Sequence, residues 1–358
     1  MKAMVLNKIA PVEEEPLELE DLPKPQPGPG QIRVKISVCG ICHTELDEIE
    51  GRLEARLPII LGHEIVGIVD ALGYGANKLK LGERVGIAWI NSACGRCHFC
   101  RDGNENLCSE FQGTGCDING GYAQYTLVAE DFAYPLPDGL SDCQAAPLMC
   151  AGAIGYRALR LTNLQDGQIL GLFGFGASAH IVIQIVKYKY PNCKVFVFTR
   201  PFDQSSLDSA RDRQGRPGQK EHQNLAKKLG ADWVGATGDN PPEKLNCAID
   251  FTPAWTPIVE ALRTLEKRGR IVINAIRKEN KDKSNLLKLE YPTHLWLEKE
   301  LKTVANITRS DVREFLPFAA EIPIVPEVVE FKLEQANKAL ILLKQGKIQG
   351  AGVLKMPT

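Results

Sequence analysis

A chain of 358 residues, 44% hydrophobic and 24% charged, is long enough to bury more than one core, so two domains are expected. Its 43 basic and 44 acidic side chains leave a formal net charge of -1 with no basic arm or polybasic helix, which excludes nucleic acid as a partner and points to a small molecule. No run of about 18 apolar residues occurs and the N-terminus lacks an apolar signal core, so neither a membrane partner nor export is expected. Eleven cysteines in such a chain then read as metal ligands and free thiols of a cytoplasmic protein, not as a disulfide framework.

Four prolines, Pro23, Pro25, Pro27 and Pro29, cannot sit in a helix or a central strand and mark an extended lead-in. A strand follows in QIRVKISV, where Ile32, Val34, Ile36 and Val38 alternate with polar residues, as in an antiparallel sheet with one buried and one wet face. It delivers the chain to Cys42, which stands in C-H-T-E beside a hydroxyl and a carboxylate. Next, His63 stands in G-H-E at the start of the apolar run Ile65, Val66, Ile68 and Val69, a second strand. A catalytic zinc takes three protein ligands and keeps a fourth position open; Cys42 and His63 supply two candidates and Cys150 is the third. Gly-rich turns separate further short apolar runs, and this β-rich character continues to about residue 137.

Within that region Cys94, Cys97, Cys100 and Cys108 follow the pattern C-x2-C-x2-C-x7-C. Four thiols on a polar loop bury little and would be liabilities without a metal, so they predict a closed structural zinc site. An iron–sulfur cluster wants a fourth cysteine after three residues and then proline, whereas here the gap is seven and Ser109 follows. A disulfide switch between two thiol pairs is the third reading.

Ser141 and Gln144 have capping-box spacing ahead of QAAPLMCAGAIGYRAL, a helix interrupted near Pro147 and Gly152 that carries Cys150. The pattern then changes. ILGLF reads as a strand and Gly174, Gly176 and Ala179 form a G-x-G-x-x-A fingerprint, with Ala177 opening the following helix. Glycines there permit a tight turn and the approach of a pyrophosphate to the helix N-terminus. Strand and helix alternate afterwards: KVFVFTR, a charged loop from Phe202 to Gly218, helix EHQNLAKKLG, a strand near Trp233, strand CAIDF, helix PIVEALRTLEKRG ending at Gly269, and strand RIVINA. That alternation predicts a parallel, doubly wound sheet. An amphipathic helix, LEQANKALILLKQGK, and a short strand, GAGVL, close the chain.

NAD-specific sites place Asp or Glu at the end of the second strand of such a sheet, to accept from the ribose 2′-hydroxyl. Thr199 and Arg200 stand there instead, a hydroxyl and a guanidinium suited to a 2′-phosphate, which favours NADP over NAD.

With the cysteine loop, the G-H-E and the fingerprint in this order, the chain resembles the zinc-dependent medium-chain alcohol dehydrogenases over essentially its full length. GFGASAH, the FTR that ends the second strand, and VANITRSD at 304–311 are most similar to the cinnamyl-alcohol-dehydrogenase-like or primary alcohol dehydrogenase subgroup. The resemblance implies an α/β protein: a discontinuous GroES-like β-rich catalytic domain, 1–152 with 305–358, around a Rossmann domain, 153–304. It implies zinc-dependent interconversion of an alcohol with an aldehyde or ketone by hydride transfer to or from NADP or NAD, with two zinc ions per chain and a homodimer or homotetramer. Cys42, His63 and Cys150 become the catalytic zinc ligands, Glu64 the carboxylate able to exchange onto that metal, and Cys94, Cys97, Cys100 and Cys108 the structural set. Thr44 takes the alcohol proton, and His43 contacts the cofactor pyrophosphate. Three positions depart from the family pattern: Asp47 stands where the proton relay often has His, Glu45 replaces the Asp that braces the ligand histidine, and Ala179 replaces the third glycine. A polyol or threonine dehydrogenase with the same zinc, or a non-catalytic zinc- and nucleotide-binding scaffold, are the other readings.

Overall fold

A computed structural model describes residues 1–200, 219–322, 324, 326–348 and 350–357. The expected loop from Phe202 to Gly218 lies outside the described residues. The chain divides into two compact units, one made of Met1–Ala153 with Ile307–Thr358 and the other of Ile154–Asn306.

In the first unit the alternating segment forms the long strand Gln31–Ile41, with Ile32, Val34, Ile36 and Val38 all buried. It pairs antiparallel with Ile65–Leu72, Tyr125–Ala129 and the C-terminal strand Ala351–Lys355, so it sits at the centre of a seven-stranded sheet. Its expected wet face is not wholly wet. Arg33 is buried, its guanidinium 2.6 Å from the Asp70 carboxylate and 5.9 Å from the Tyr125 ring centre, because long polar stems can pack when their charge is paired. A three-stranded sheet of Leu17–Asp21, Lys2–Leu6 and Ile59–Ile60 completes the β-rich body, and Leu6, Val34, Ile49, Leu61 and Leu340 share its core.

The second unit is a six-stranded, wholly parallel sheet in the order Trp233–Ala236, Lys194–Thr199, Ile169–Phe173, Leu245–Asp250, Leu265–Ile273, Glu300–Thr303. This is the 3-2-1-4-5-6 order of a doubly wound Rossmann sheet, with the strand direction of travel reversing beside Ile169–Phe173. Stacked Phe173 and Phe198 rings, 4.2 Å apart, lie in its core with Phe196, Ile258 and Leu262. One boundary differs from expectation. The helix predicted to run to Gly269 ends at Thr264, and Leu265 already pairs with Leu245 in the next strand. The register then slips, so that Cys247 faces Arg270, and Arg268 adopts φ +59° within the extra residues. Pairing with the neighbouring strand overrides the helical preference of LEK, as tertiary context commonly does.

Candidate active site

Cys42 directly follows the central strand and stands at the N-cap of the short helix His43–Ile49. Glu45, three residues on, closes a capping box, its Oε2 accepting from the Cys42 backbone N–H at 2.7 Å. Its other oxygen lies 2.7 Å from His63 Nδ1. A single carboxylate therefore fixes the helix that carries one candidate ligand and orients the ring of another, so the longer side chain at position 45 still reaches the histidine. With Nδ1 against the Glu45 carboxylate, Nε2 is the nitrogen left to face a metal.

Cys150 arrives on a turn of π-helix, Leu148–Gly152, set between the helices Asp142–Pro147 and Ala153–Thr162. The Ser141–Gln144 capping box starts the first of these, and Pro147, unable to donate a backbone hydrogen bond, stands just before the widened turn. Glu64 is buried because Gly40 leaves room for it: a Cβ at Gly40 would stand 1.9 Å from Glu64 Oε2. One donor atom from each of Cys42, His63, Glu64 and Cys150 lies within 4.8 Å of the others.

Without a cation these groups conflict electrostatically. A hydrogen bond from Cys150 and the neighbouring His63 hold the Cys42 thiol well below the ordinary cysteine range, while that same bond and burial push Cys150 well above it. Burial, then the Cys42 charge, pushes the Glu64 carboxyl well up. Burial works against a charged His63, yet Glu45 and Cys42 outweigh it and raise the imidazole well above its usual value. Two thiols, an imidazole and a carboxylate so arranged fit a borderline-soft divalent ion such as zinc, whose charge would let the thiols ionise.

The second cysteine set forms a separate cluster, with the donor atoms of Cys94, Cys97, Cys100 and Cys108 within 4.8 Å of one another. The helix His98–Arg101 places Cys97 at its N-cap, and backbone N–H groups of Cys97, Cys100 and Glu110 approach the sulfurs of Cys94, Cys97 and Cys108 at 3.4, 3.5 and 3.4 Å. Such donors favour thiolates: backbone N–H groups bring Cys94 down to about 6. Burial sends Cys100 up to about 12, a thiol that needs a metal to ionise. All eleven cysteines are free, and four sulfurs within 4.8 Å of one another suit a single zinc.

Thr44 is buried, its hydroxyl oxygen 3.6 Å from Cys42 Sγ, whereas His43 is exposed on the first helical residue. Asp47 is buried and paired with Arg52 Nε at 2.5 Å, and its backbone carbonyl accepts from Arg52 and Leu53. In the second unit Gly174 takes φ +83° as the turn requires, and Gly176 and Ala177 are exposed at the start of the helix Ala177–Lys189, which no side chain caps. Ala179 is fully buried. The Thr199 hydroxyl is engaged internally, accepting from Gln223 Nε2 at 2.9 Å and donating to the Gly235 carbonyl at 3.4 Å, which leaves Arg200 as the exposed group at that strand end.

Three residues near the first cluster carry no motif. Trp89 packs edge-on to His63 at 4.9 Å, Gly40 admits Glu64, and Glu48 is a buried acid one helical turn beyond Glu45. Only Glu48 has a sequence signal, its i+3 spacing from Glu45 and i+4 spacing from Thr44.

Comparison with known proteins places this arrangement. The profile of the alcohol dehydrogenase GroES-like domain matches residues 28–138. A probable alcohol dehydrogenase, AdhA, of Mycobacterium tuberculosis is 39% identical over 360 residues, covering 99% of this chain and 97% of the relative. An alcohol dehydrogenase of Geobacillus stearothermophilus is 31% identical, covering 99% of this chain and 100% of its own. Among solved structures, a cinnamyl alcohol dehydrogenase of Sorghum bicolor superposes with a TM-score of 0.78 at 23% identity, covering 99% of this chain and 97% of that one. The alcohol dehydrogenase of Aeropyrum pernix gives 0.81 at 25% identity, covering 99% and 100%. With relatives of this identity matched along almost all of its length, the chain belongs to the zinc-dependent medium-chain alcohol dehydrogenase family.

Proposed function

We propose that this protein oxidises small primary alcohols, or reduces the corresponding aldehydes, with a nicotinamide dinucleotide and two zinc ions per chain. The observation that carries the reading is the convergence of Cys42, His63, Glu64 and Cys150 within 4.8 Å, apart from a closed four-cysteine cluster. Cys42, His63 and Cys150 hold the catalytic metal, and Glu64 is the carboxylate able to exchange onto it. Cys94, Cys97, Cys100 and Cys108 hold the structural one. When bound, the metal polarises the alcohol oxygen and the nicotinamide ring accepts the hydride.

The chain's own residues do the rest. Thr44 Oγ1, 3.6 Å from Cys42 Sγ, accepts the alcohol proton and hands it outward. Glu45 keeps His63 in one orientation through the 2.7 Å contact to Nδ1. The Trp89 edge against His63 covers the ring with apolar surface and limits water. Asp47, at the position where the relay often has His, is the outer relay group, and Arg52 holds its carboxylate in place.

The turn at Gly174 and Gly176 and the uncapped helix start beyond it support a dinucleotide site in the second unit. Exposed Arg200, following Thr199 and not a carboxylate, favours NADP over NAD. We place the protein in the cytoplasm, where eleven free thiols persist; no helix among the described residues is long and apolar enough to cross a membrane. A homodimer or homotetramer is supported by the edge strand Glu300–Thr303, wholly exposed with Leu301 at 51%.

Elemental analysis together with an absorbance scan of primary alcohols against NADP and NAD tests the reading. Two zinc ions and alcohol-dependent nucleotide reduction are expected. Zinc without turnover on any alcohol would favour a scaffold, and turnover confined to polyols or threonine would move the substrate class.

A further inference from the structure

The order of the parallel sheet puts its topological switch between Ile169–Phe173 and Leu245–Asp250, and ligands of such sheets bind outside the carboxyl ends of the strands at that point. Phe173 and Asp250 are direct partners across it. One lip of the crevice is the fingerprint turn at Gly174. The other is the loop that follows Asp250, and the two touch: a Cβ on Gly174 would stand 2.8 Å from Thr252 Cγ2.

That second lip is held by a buried cation. Lys278 Nζ donates to the Asp250 carboxylate and to the carbonyls of Thr252 and Ala254 at 2.7 and 2.9 Å. Its side chain is 10% exposed and that of Asp250 is fully buried. Asp250 Oδ1 in turn accepts from the Thr252 N–H at 3.0 Å and from its hydroxyl at 2.8 Å. Four residues past Lys278, the Asp282 carboxylate accepts from the Thr256 N–H and hydroxyl at 2.8 and 2.7 Å and so caps the helix Thr256–Thr264. The segment after one strand thus supplies a cation to the loop carbonyls and an anion to the helix start of its neighbour. A loop needs neither for solubility, and burying a lysine is costly unless its charge is met, so this arrangement fixes a backbone path.

We propose that Lys278, paired with Asp250, is a positioning residue for the dinucleotide: it holds residues 250–254 as the rigid wall of the cofactor crevice opposite the fingerprint turn. The inference rests on the nucleotide reading above. The three hydrogen bonds of the ammonium fix the loop before the cofactor arrives, so binding does not have to order it.

Fluorescence titration of the full-length zinc-loaded protein with NADPH and NADH provides the test. In Lys278→Met the affinity for the preferred nucleotide falls about tenfold or more, as expected for loss of charge-assisted hydrogen bonds. KM for the nucleotide rises in step, KM for the alcohol at saturating nucleotide stays within about twofold, and zinc content is unchanged. Lys278→Arg, which keeps the charge, recovers most of the affinity. Because Lys278→Met strands a buried carboxylate, the charge-neutral double variant Lys278→Met with Asp250→Asn decides the matter where the single one fails to fold, and the same weakening is expected of it. A folded variant lacking the ammonium that binds nucleotide as the wild type does overturns the inference alone. Wild-type protein that binds neither nucleotide overturns the dinucleotide reading and the inference with it.

Discussion

Glu48 offers a quantitative test of how the catalytic unit is built. It is 1% exposed, and neither carboxylate oxygen has a well-formed hydrogen bond among the described residues. Burial, then the charge of Glu45, pushes its pKa up to about 9 from an ordinary 4.5, while His63 and Cys116 oppose the rise too weakly to cancel it. The folded state therefore keeps a proton that the unfolded chain gives up above pH ~4.5. Between those values stability falls as pH rises, by about 1.4 kcal/mol per unit, and at pH 7 the accumulated loss is on the order of 3 kcal/mol. Glu48→Gln keeps the shape and removes the titration. Its stability relative to wild type should climb steadily from pH 5 to pH 8, whatever constant offset the amide introduces. At roughly 2–4 °C per kcal/mol for a unit of this size, thermal midpoints should diverge by several degrees between pH 5 and pH 7. The midpoints are to be followed by intrinsic fluorescence at fixed zinc concentration. Parallel curves for the two proteins would mean that Glu48 is ionised or solvated in the fold, and the reasoning from burial would be wrong.

The two cysteine sets should fail differently. Cys100→Ser is expected to lose about one zinc per chain and several degrees of thermal stability, because a structural site contributes folding free energy, whereas Cys150→Ser should stay folded and lose at least about a hundredfold in turnover; metal analysis and melting curves separate the cases. Gly40→Ala sets a methyl group 1.9 Å from the present position of Glu64 Oε2. It should displace that carboxylate, cost about 1–3 kcal/mol of stability and speed zinc loss to a chelator. Thr44→Ala should lower turnover by about 10²-fold or more while Thr44→Ser restores most of it, and an unchanged rate would remove the hydroxyl from proton transfer. Arg200→Ala should weaken NADP binding about tenfold and leave NAD nearly untouched, as measured by catalytic efficiency with each cofactor.

Local chemistry in the sequence was enough to locate most of this protein's parts. The spacing of Cys94, Cys97, Cys100 and Cys108 needs no tertiary information, because one short loop and one helical turn bring the four sulfurs within 4.8 Å. The alternation in QIRVKISV, the Ser141–Gln144 cap and the fingerprint at Gly174 are likewise short-range, since strand pleat, capping hydrogen bonds and a left-handed turn are all completed within a few residues. What the sequence could not show is what converges from a distance. Cys42, His63 and Cys150 are brought together by sheet pairing and a π-helical turn, and the long stretch between His63 and Cys150 carries no local signal of that meeting. Gly40 reads as an ordinary strand glycine until Glu64 is seen in the space its missing Cβ leaves. Its place at the strand end makes Thr199 a candidate donor for a phosphate, but its hydroxyl is occupied by Gln223 and Gly235, contacts that exist only once the neighbouring strand and helix are in place. Lys278 sits in an unremarkable charged stretch, and its meaning comes from the parallel sheet, which sets the end of one strand beside the end of the next and so places a cation 28 residues away against Asp250. The burial of charged and titratable side chains, which decides their pairings and protonation states, is a property of the packed molecule.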